Sequence, residues 1–159
     1  MRMLRLRCSA LASTFVGVVL LAACSDSPAA VRLEPEVIEE TTFASSLNID
    51  LASMTRTSSG LYIETIAEGV GEPAMVDNGV TISYTGWLSD GTSFDSGQFP
   101  FVLGAGQVVP GFDEGVLGMK VEGIRRVIMP PSLGYGNTAR GIIPSGSILI
   151  FRLELVDID

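Results

Sequence analysis

Asp95, directly after Phe94, is the acid whose setting most invites a chemical role. Val80, Ile82 and Tyr84 alternate with Thr81, Ser83 and Thr85, the period-two pattern of a strand with one buried face. Asp90-Gly91 reverses the chain, because glycine accepts the positive φ of a hairpin turn, and Thr92, Ser93 and Phe94 lead back to Asp95. Such a hairpin brings Tyr84, Phe94 and Asp95 together. A carboxylate turned inward beside an aromatic ring needs a partner or a purpose.

What the chain lacks narrows that purpose. There is no histidine, which excludes His-based acid–base catalysis, Ser-His-Asp triads and His-ligated zinc. No P-loop, nucleophile elbow or metal-ligand spacing occurs, and Gly104-Ala105-Gly106 lacks the third glycine of a dinucleotide fingerprint. No metal or cofactor is expected. Seven basic residues face eighteen acidic ones after position 24, a surplus of eleven negative charges that opposes binding to nucleic acid.

The beginning of the chain reads as an export signal. Arg2, Arg5 and Arg7 precede an apolar stretch over 10–21, too short for a confident membrane span. It ends in Leu21-Ala22-Ala23-Cys24, which resembles the lipobox of bacterial lipoproteins, whose cysteine receives diacylglycerol. Residues 1–23 are then the signal peptide and Cys24 the lipid-bearing N-terminus. Ser25 resembles residues that permit transfer to an outer membrane, so an extracytoplasmic anchor facing the periplasm is expected. Cys8 leaves with the signal and Cys24 is capped, so no thiol remains for a disulfide or a nucleophile. Residues 24–54 are acidic and poor in aromatics, and read as a flexible tether in which 37–38 and 43–51 carry enough apolar residues for a short amphipathic turn or two, a segment open both to docking on the domain and to staying mobile.

The elements that must position the hairpin follow from 55 onward. Strands are expected over 61–67, in the two arms of the hairpin, over 98–103, over 124–129 and over 148–157, where Leu149, Phe151, Leu153 and Leu155 alternate with Ile150, Arg152 and Glu154. Phe112, Val116 and Met119 sit at helical spacing, with Pro110 suited to a helix start and Asp113 and Glu114 to its positive end. Residues 132–147 form a long loop rich in Gly and Pro, of the kind that is more often functional than filler. Five or six antiparallel strands and one short helix make an α+β domain over 55–159, with the helix against one face of the sheet. Trp87 reads as a partly covered packing residue and Arg125-Arg126 as a solvated pair.

Four blocks in order carry a resemblance. They are Tyr84-Thr85-Gly86 through Phe94-Asp95-Ser96, Val108-Val109-Pro110-Gly111-Phe112, Pro131-Ser132-Leu133-Gly134-Tyr135-Gly136, and Gly141-Ile142-Ile143-Pro144 with Phe151. Over residues 58–159 the chain resembles the FKBP-type peptidyl-prolyl isomerases, the macrolide-binding immunophilins. Phenylalanines also fill small cores, so it is the ordered set that carries the assignment.

The resemblance implies a sheet wrapped around the helix, with a shallow apolar pocket between them. Its walls would be Tyr84, Phe94, Asp95, Phe99, Val108, Val109, Phe112, Tyr135, Ile142, Ile143 and Phe151. Asp95, Tyr135, Phe94 and Phe112 would serve catalysis. Asp95 matches a buried carboxylate that polarises the site, while the Val109 N–H and the Tyr135 hydroxyl match donors to ligand carbonyls. Departures from the family pattern are Phe112 in place of tryptophan, a shortened 95–99 segment without its basic residue, Gln107 in place of glutamate, and a shorter 135–141 loop with Arg140 near its tip. The implied activity is cis–trans isomerisation at proline in unfolded or partly folded exported proteins, with macrolides as further ligands. A chaperone-like module that holds proline-containing segments without turnover would use the same pocket, and accelerated exchange separates the two.

Overall fold

A computed structural model describes residues 34–159. The signal segment, Cys24 and the first part of the expected tether lie outside the described residues. Six strands form one antiparallel sheet: β1 (Thr55–Arg56), β2 (Tyr62–Ala67), β3 (Gly79–Leu88), β4 (Ser93–Val102), β5 (Ile124–Met129) and β6 (Leu149–Ile158). Their spatial order is β1-β2-β5-β6-β3-β4, so the chain's last strand sits in the middle of the sheet. The expected α+β architecture is present.

The β3–β4 hairpin turns where expected, with Gly91 at φ 88° and its N–H donating to the Leu88 carbonyl at 3.0 Å. Its return arm differs from the expectation. The segments 92–95 and 98–103 are one continuous strand, because β4 keeps its pairing with β3 from Ser93 to Val102. β4 is an edge strand, and this is why it accommodates Pro100 without losing a ladder bond in the sheet's interior.

The single α-helix among the described residues, α1 (Pro110–Val116), starts at Pro110 and is shorter than its apolar spacing implied. Arg125 explains the ending. Its Nη1 donates to the carbonyls of Gly115 and Leu117 at 3.0 and 2.8 Å, satisfying groups that a helix leaves orphaned at its C-terminus. Gly115 lets the helix sit close to β5, since a Cβ there would come within 2.9 Å of Val127 Cγ1. Phe112 and Val116 bury themselves against Val127, Met129, Leu149, Phe151, Leu153 and Leu155, forming the main core. At about 25 cal/mol per Å² of apolar area, this cluster is the principal source of the domain's stability.

Residues 34–54 correct the tether. In three 3-10 turns they lie across the outer face of the sheet, where Ile38 and Met54 are buried with Tyr62, Ile128, Ile148 and Ile150. Phe43, Leu47, Ile49, Leu51 and Trp87 close over this second cluster. The physical reason is that β5 and the start of β6 carry apolar side chains on both faces, which no single core can cover. The segment is pinned at polar points as well. Glu36 accepts from the Ser89 hydroxyl at 2.8 Å and the Ile148 N–H at 2.6 Å, and the Tyr62 hydroxyl donates to Glu39 at 2.9 Å. Arg126 is no solvated pair with Arg125 either, since its Nη1 reaches the Asn48 carbonyl at 3.0 Å and Glu64 at 3.1 Å. Among the described residues no helix is long and apolar enough to cross a membrane.

Candidate functional site

Between α1 and the concave side of the sheet opens a cleft of about 490 Å³. Tyr84 comes from β3, Phe94, Asp95 and Phe99 from β4, Phe151 from β6, and Pro110 and Phe112 from α1, with Gln107, Val108 and Val109 before the helix and Tyr135 and Arg140 from the long loop. Nine of the eleven residues expected at the pocket therefore line it.

Phe112 is the centre of the aromatic set. Its ring meets Tyr84, Phe101 and Phe151 edge-on, with centroids 5.7, 5.8 and 5.3 Å away. Phe94 stands edge-on to Phe151 at 5.4 Å. Edge-to-face arrangements suit ring quadrupoles and hold each ring in one orientation. Phe151 is both core and cleft wall, buried yet turned toward the opening. Gln107 aims the Val108-Val109 segment, because its side-chain carbonyl accepts from the Val102 N–H at 2.7 Å and closes the connection between β4 and α1.

The polar groups differ from expectation at one point. Asp95 is exposed rather than buried, because β4 is an edge strand whose outer rim no described residue covers. It is still an organised carboxylate. Oδ2 accepts from the Tyr84 hydroxyl at 2.9 Å and Oδ1 from the Ser96 N–H at 2.9 Å. Burial first, and then the bond to Asp95, raise the Tyr84 phenol above its ordinary pKa, so it stays a donor. Two further donors are uncommitted. Neither the Tyr135 hydroxyl nor the Val109 N–H has an acceptor among the described residues.

Ile142 and Ile143 do not line the cleft. Reciprocal backbone bonds between Arg140 and Ile143, at 2.9 and 2.8 Å, fold the loop tip into a tight bridge. That bridge turns Ile143 into the core and leaves Ile142 60% exposed. Arg140 reaches the cleft in their place, its guanidinium 4.9 Å from the centroid of the Tyr135 ring. Gln107 and Arg140 were visible in the sequence as departures from the family pattern, but nothing local to them marked them as wall residues.

A short helix clasped by a curled antiparallel sheet, with an aromatic cleft between them, is an FKBP-like domain. A family model described as FKBP-type peptidyl-prolyl cis-trans isomerase matches residues 70–156. The chain is 44% identical over 105 residues to a protein named FK506-binding protein from Neisseria meningitidis serogroup B, covering 62% of this chain and 96% of that one. It is 43% identical over 103 residues to FK506-binding protein 1 of Dictyostelium discoideum, covering 61% and 96%. Among solved structures, FkpA from Escherichia coli superposes with a TM-score of 0.63 at 30% identity, over 72% of this chain and 55% of that one. AtFKBP13 does so with 0.62 at 28%, over 67% and 98%. The chain belongs to the family of FKBP-type peptidyl-prolyl cis-trans isomerases.

Proposed function

We propose that this isomerase acts on proline-containing segments of unfolded or partly folded exported proteins, held to a bacterial membrane by lipid on Cys24. The observation that carries the catalytic part is an open aromatic cleft edged by two uncommitted donors, Tyr135 Oη and Val109 N–H. Amide resonance sets a barrier of about 18–20 kcal/mol, and X–Pro bonds cross it unaided only over tens to hundreds of seconds. In the twisted transition state that resonance is broken, so the carbonyl is less polar than in either planar form. Water favours the planar forms. A cleft walled by Phe94, Phe112, Phe151 and Tyr84 withholds that preference, and each ~1.4 kcal/mol gained at the barrier is tenfold in rate.

In this reading Phe112 is the floor beneath the prolyl ring, with Phe94 and Phe151 as its walls. Val109 N–H and Tyr135 Oη hold peptide carbonyls on either side, and the Tyr84–Asp95 pair orients the polar rim. No nucleophile, metal or titrating base takes part. Macrolides, which present carbonyls on an apolar ring, fit the same groups.

The test is a protease-coupled or NMR exchange assay on a proline-containing peptide. Wild-type protein accelerates exchange, and Tyr135→Phe and Asp95→Ala each lower turnover with the fold intact by circular dichroism. Unchanged turnover in both variants refutes the assigned roles, whereas a measurable peptide complex without acceleration makes the protein a holding module instead. For the anchor, mass spectrometry of the N-terminal peptide from membrane fractions should find a diacylated Cys24, and Cys24→Ala should free the protein from the membrane.

A further inference from the structure

We infer that Arg140 makes the cleft selective for prolines flanked by an acidic side chain, an inference that rests on the isomerase reading of the same cleft. The argument starts from where the cations of this acidic chain are spent. Among the described residues, Arg56 pairs with Glu39, Arg126 with Glu64 and Arg152 with Glu154. Arg125 gives its donors to two helix carbonyls. Arg140 is the one arginine of the described residues whose guanidinium has neither a carboxylate within 4 Å nor a hydrogen-bond acceptor.

It is nonetheless held in place. The bridge to Ile143 fixes its backbone, and the guanidinium carbon lies over the Tyr135 ring, 4.9 Å from its centroid. Tyr135 carries the hydroxyl assigned to a peptide carbonyl, so a peptide bound through that hydroxyl passes beside a cation with five free N–H donors. The fork matches a carboxylate in a way lysine cannot. Asp95, the other charge on the rim, is engaged by Tyr84 and Ser96 and forms no ion pair with Arg140 within 4 Å.

The experiment uses the full chain and tetrapeptides that differ only beside proline, with Glu, Gln or Lys placed immediately before it in one series and immediately after it in another. Expected is a kcat/KM for Glu about two- to fivefold above its isostere Gln in one series, the range that exposed ion pairs give, with Lys below both. The preference should shrink between 20 and about 500 mM salt, as screening shortens the Debye length. In Arg140→Gln the Glu/Gln ratio should fall to unity, and in Arg140→Glu the order should invert toward Lys. Ratios within one variant cancel any general loss from disturbing the Tyr135 ring. A wild-type Glu/Gln ratio near one in both series, or one that survives Arg140→Gln, overturns the inference while leaving the isomerase reading standing. No acceleration of any peptide overturns both.

Discussion

The Tyr84 hydroxyl donates to Asp95 Oδ2 at 2.9 Å, joining the two arms of the β3–β4 hairpin on the rim of the cleft. The bond gives the hairpin a polar clasp beside the rings of the cleft, and it holds the exposed carboxylate at the rim. Removing the hydroxyl in Tyr84→Phe should cost about 0.5–1.5 kcal/mol of stability, the usual net worth of one such bond. Turnover should fall further than stability does, by about three- to tenfold, since the loss lands on the cleft. Chemical denaturation and a peptide exchange assay on the same samples separate the two effects.

The same environment makes a spectroscopic prediction. Burial and then the bond to Asp95 raise Tyr84, and burial and then the bond to Glu39 raise Tyr62. A raised phenol contributes stability that is fully present below about pH 10 and is lost as pH climbs through its folded value. Phenolate absorbance during an alkaline titration should therefore show two late steps, from Tyr62 and Tyr84, above the ordinary phenol value of 10.0. Tyr84→Phe should remove one of the late steps, and a wild-type titration unchanged by that substitution would contradict the geometry.

Phe112 separates packing from catalysis. Its ring is buried and meets three other aromatic rings. Phe112→Ala should destabilise the domain by about 3–5 kcal/mol, because the cavity cannot close against a rigid sheet. Phe112→Leu keeps most of the volume and should cost about 1.5 kcal/mol or less, yet lower turnover about tenfold by removing the aromatic floor. Thermal denaturation paired with the exchange assay distinguishes these outcomes.

Gly86 leaves the space the rings occupy. A Cβ there would stand 2.6 Å from Phe94 Cζ and 2.8 Å from Phe151 Cε1. Gly86→Ala should thus push both rings into the cleft and destabilise the domain by about 1–3 kcal/mol. Peptide affinity should drop alongside, measured by fluorescence or NMR titration. Full affinity in a stable Gly86→Ala protein would show that the cleft does not depend on this ring placement.

The 34–54 segment carries an acid-sensitive attachment. Glu39 is held below its ordinary 4.5, first by a backbone hydrogen bond of its own and then by the Tyr62 hydroxyl, with Arg56 adding attraction. A lowered carboxylate contributes stability present above its unfolded value and lost as pH falls through the folded one, so docking should weaken below about pH 4.5. Trp87, the sole tryptophan, packs under this segment and reports on it. Its emission should shift to the red on acidification, and Glu39→Gln should flatten that acid limb. Emission independent of pH in wild-type protein would rule out the attachment as described.

Sequence alone determined what depends on short-range pattern. Alternation at Val80, Ile82 and Tyr84 and again from Leu149 to Leu155 fixed which face of each strand turns inward, Gly91 fixed the hairpin turn, and Pro110 the helix start. The resemblance carried by the ordered blocks also located nine of the cleft's wall residues, since residues in matching motifs take up the family's positions. Tertiary structure decided the rest. Val127-Ile128 and Leu149-Ile150 are adjacent buried pairs whose members lie on opposite faces of the sheet, and only the fold shows that residues 34–54 supply the second cover. The exposure of Asp95, the Arg125 cap on α1, the inward turn of Ile143 and the arrival of Arg140 over Tyr135 each join residues far apart or folded through an irregular loop. Such contacts have no period to betray them, because long-range packing and strand order, rather than the local pattern, set which groups meet.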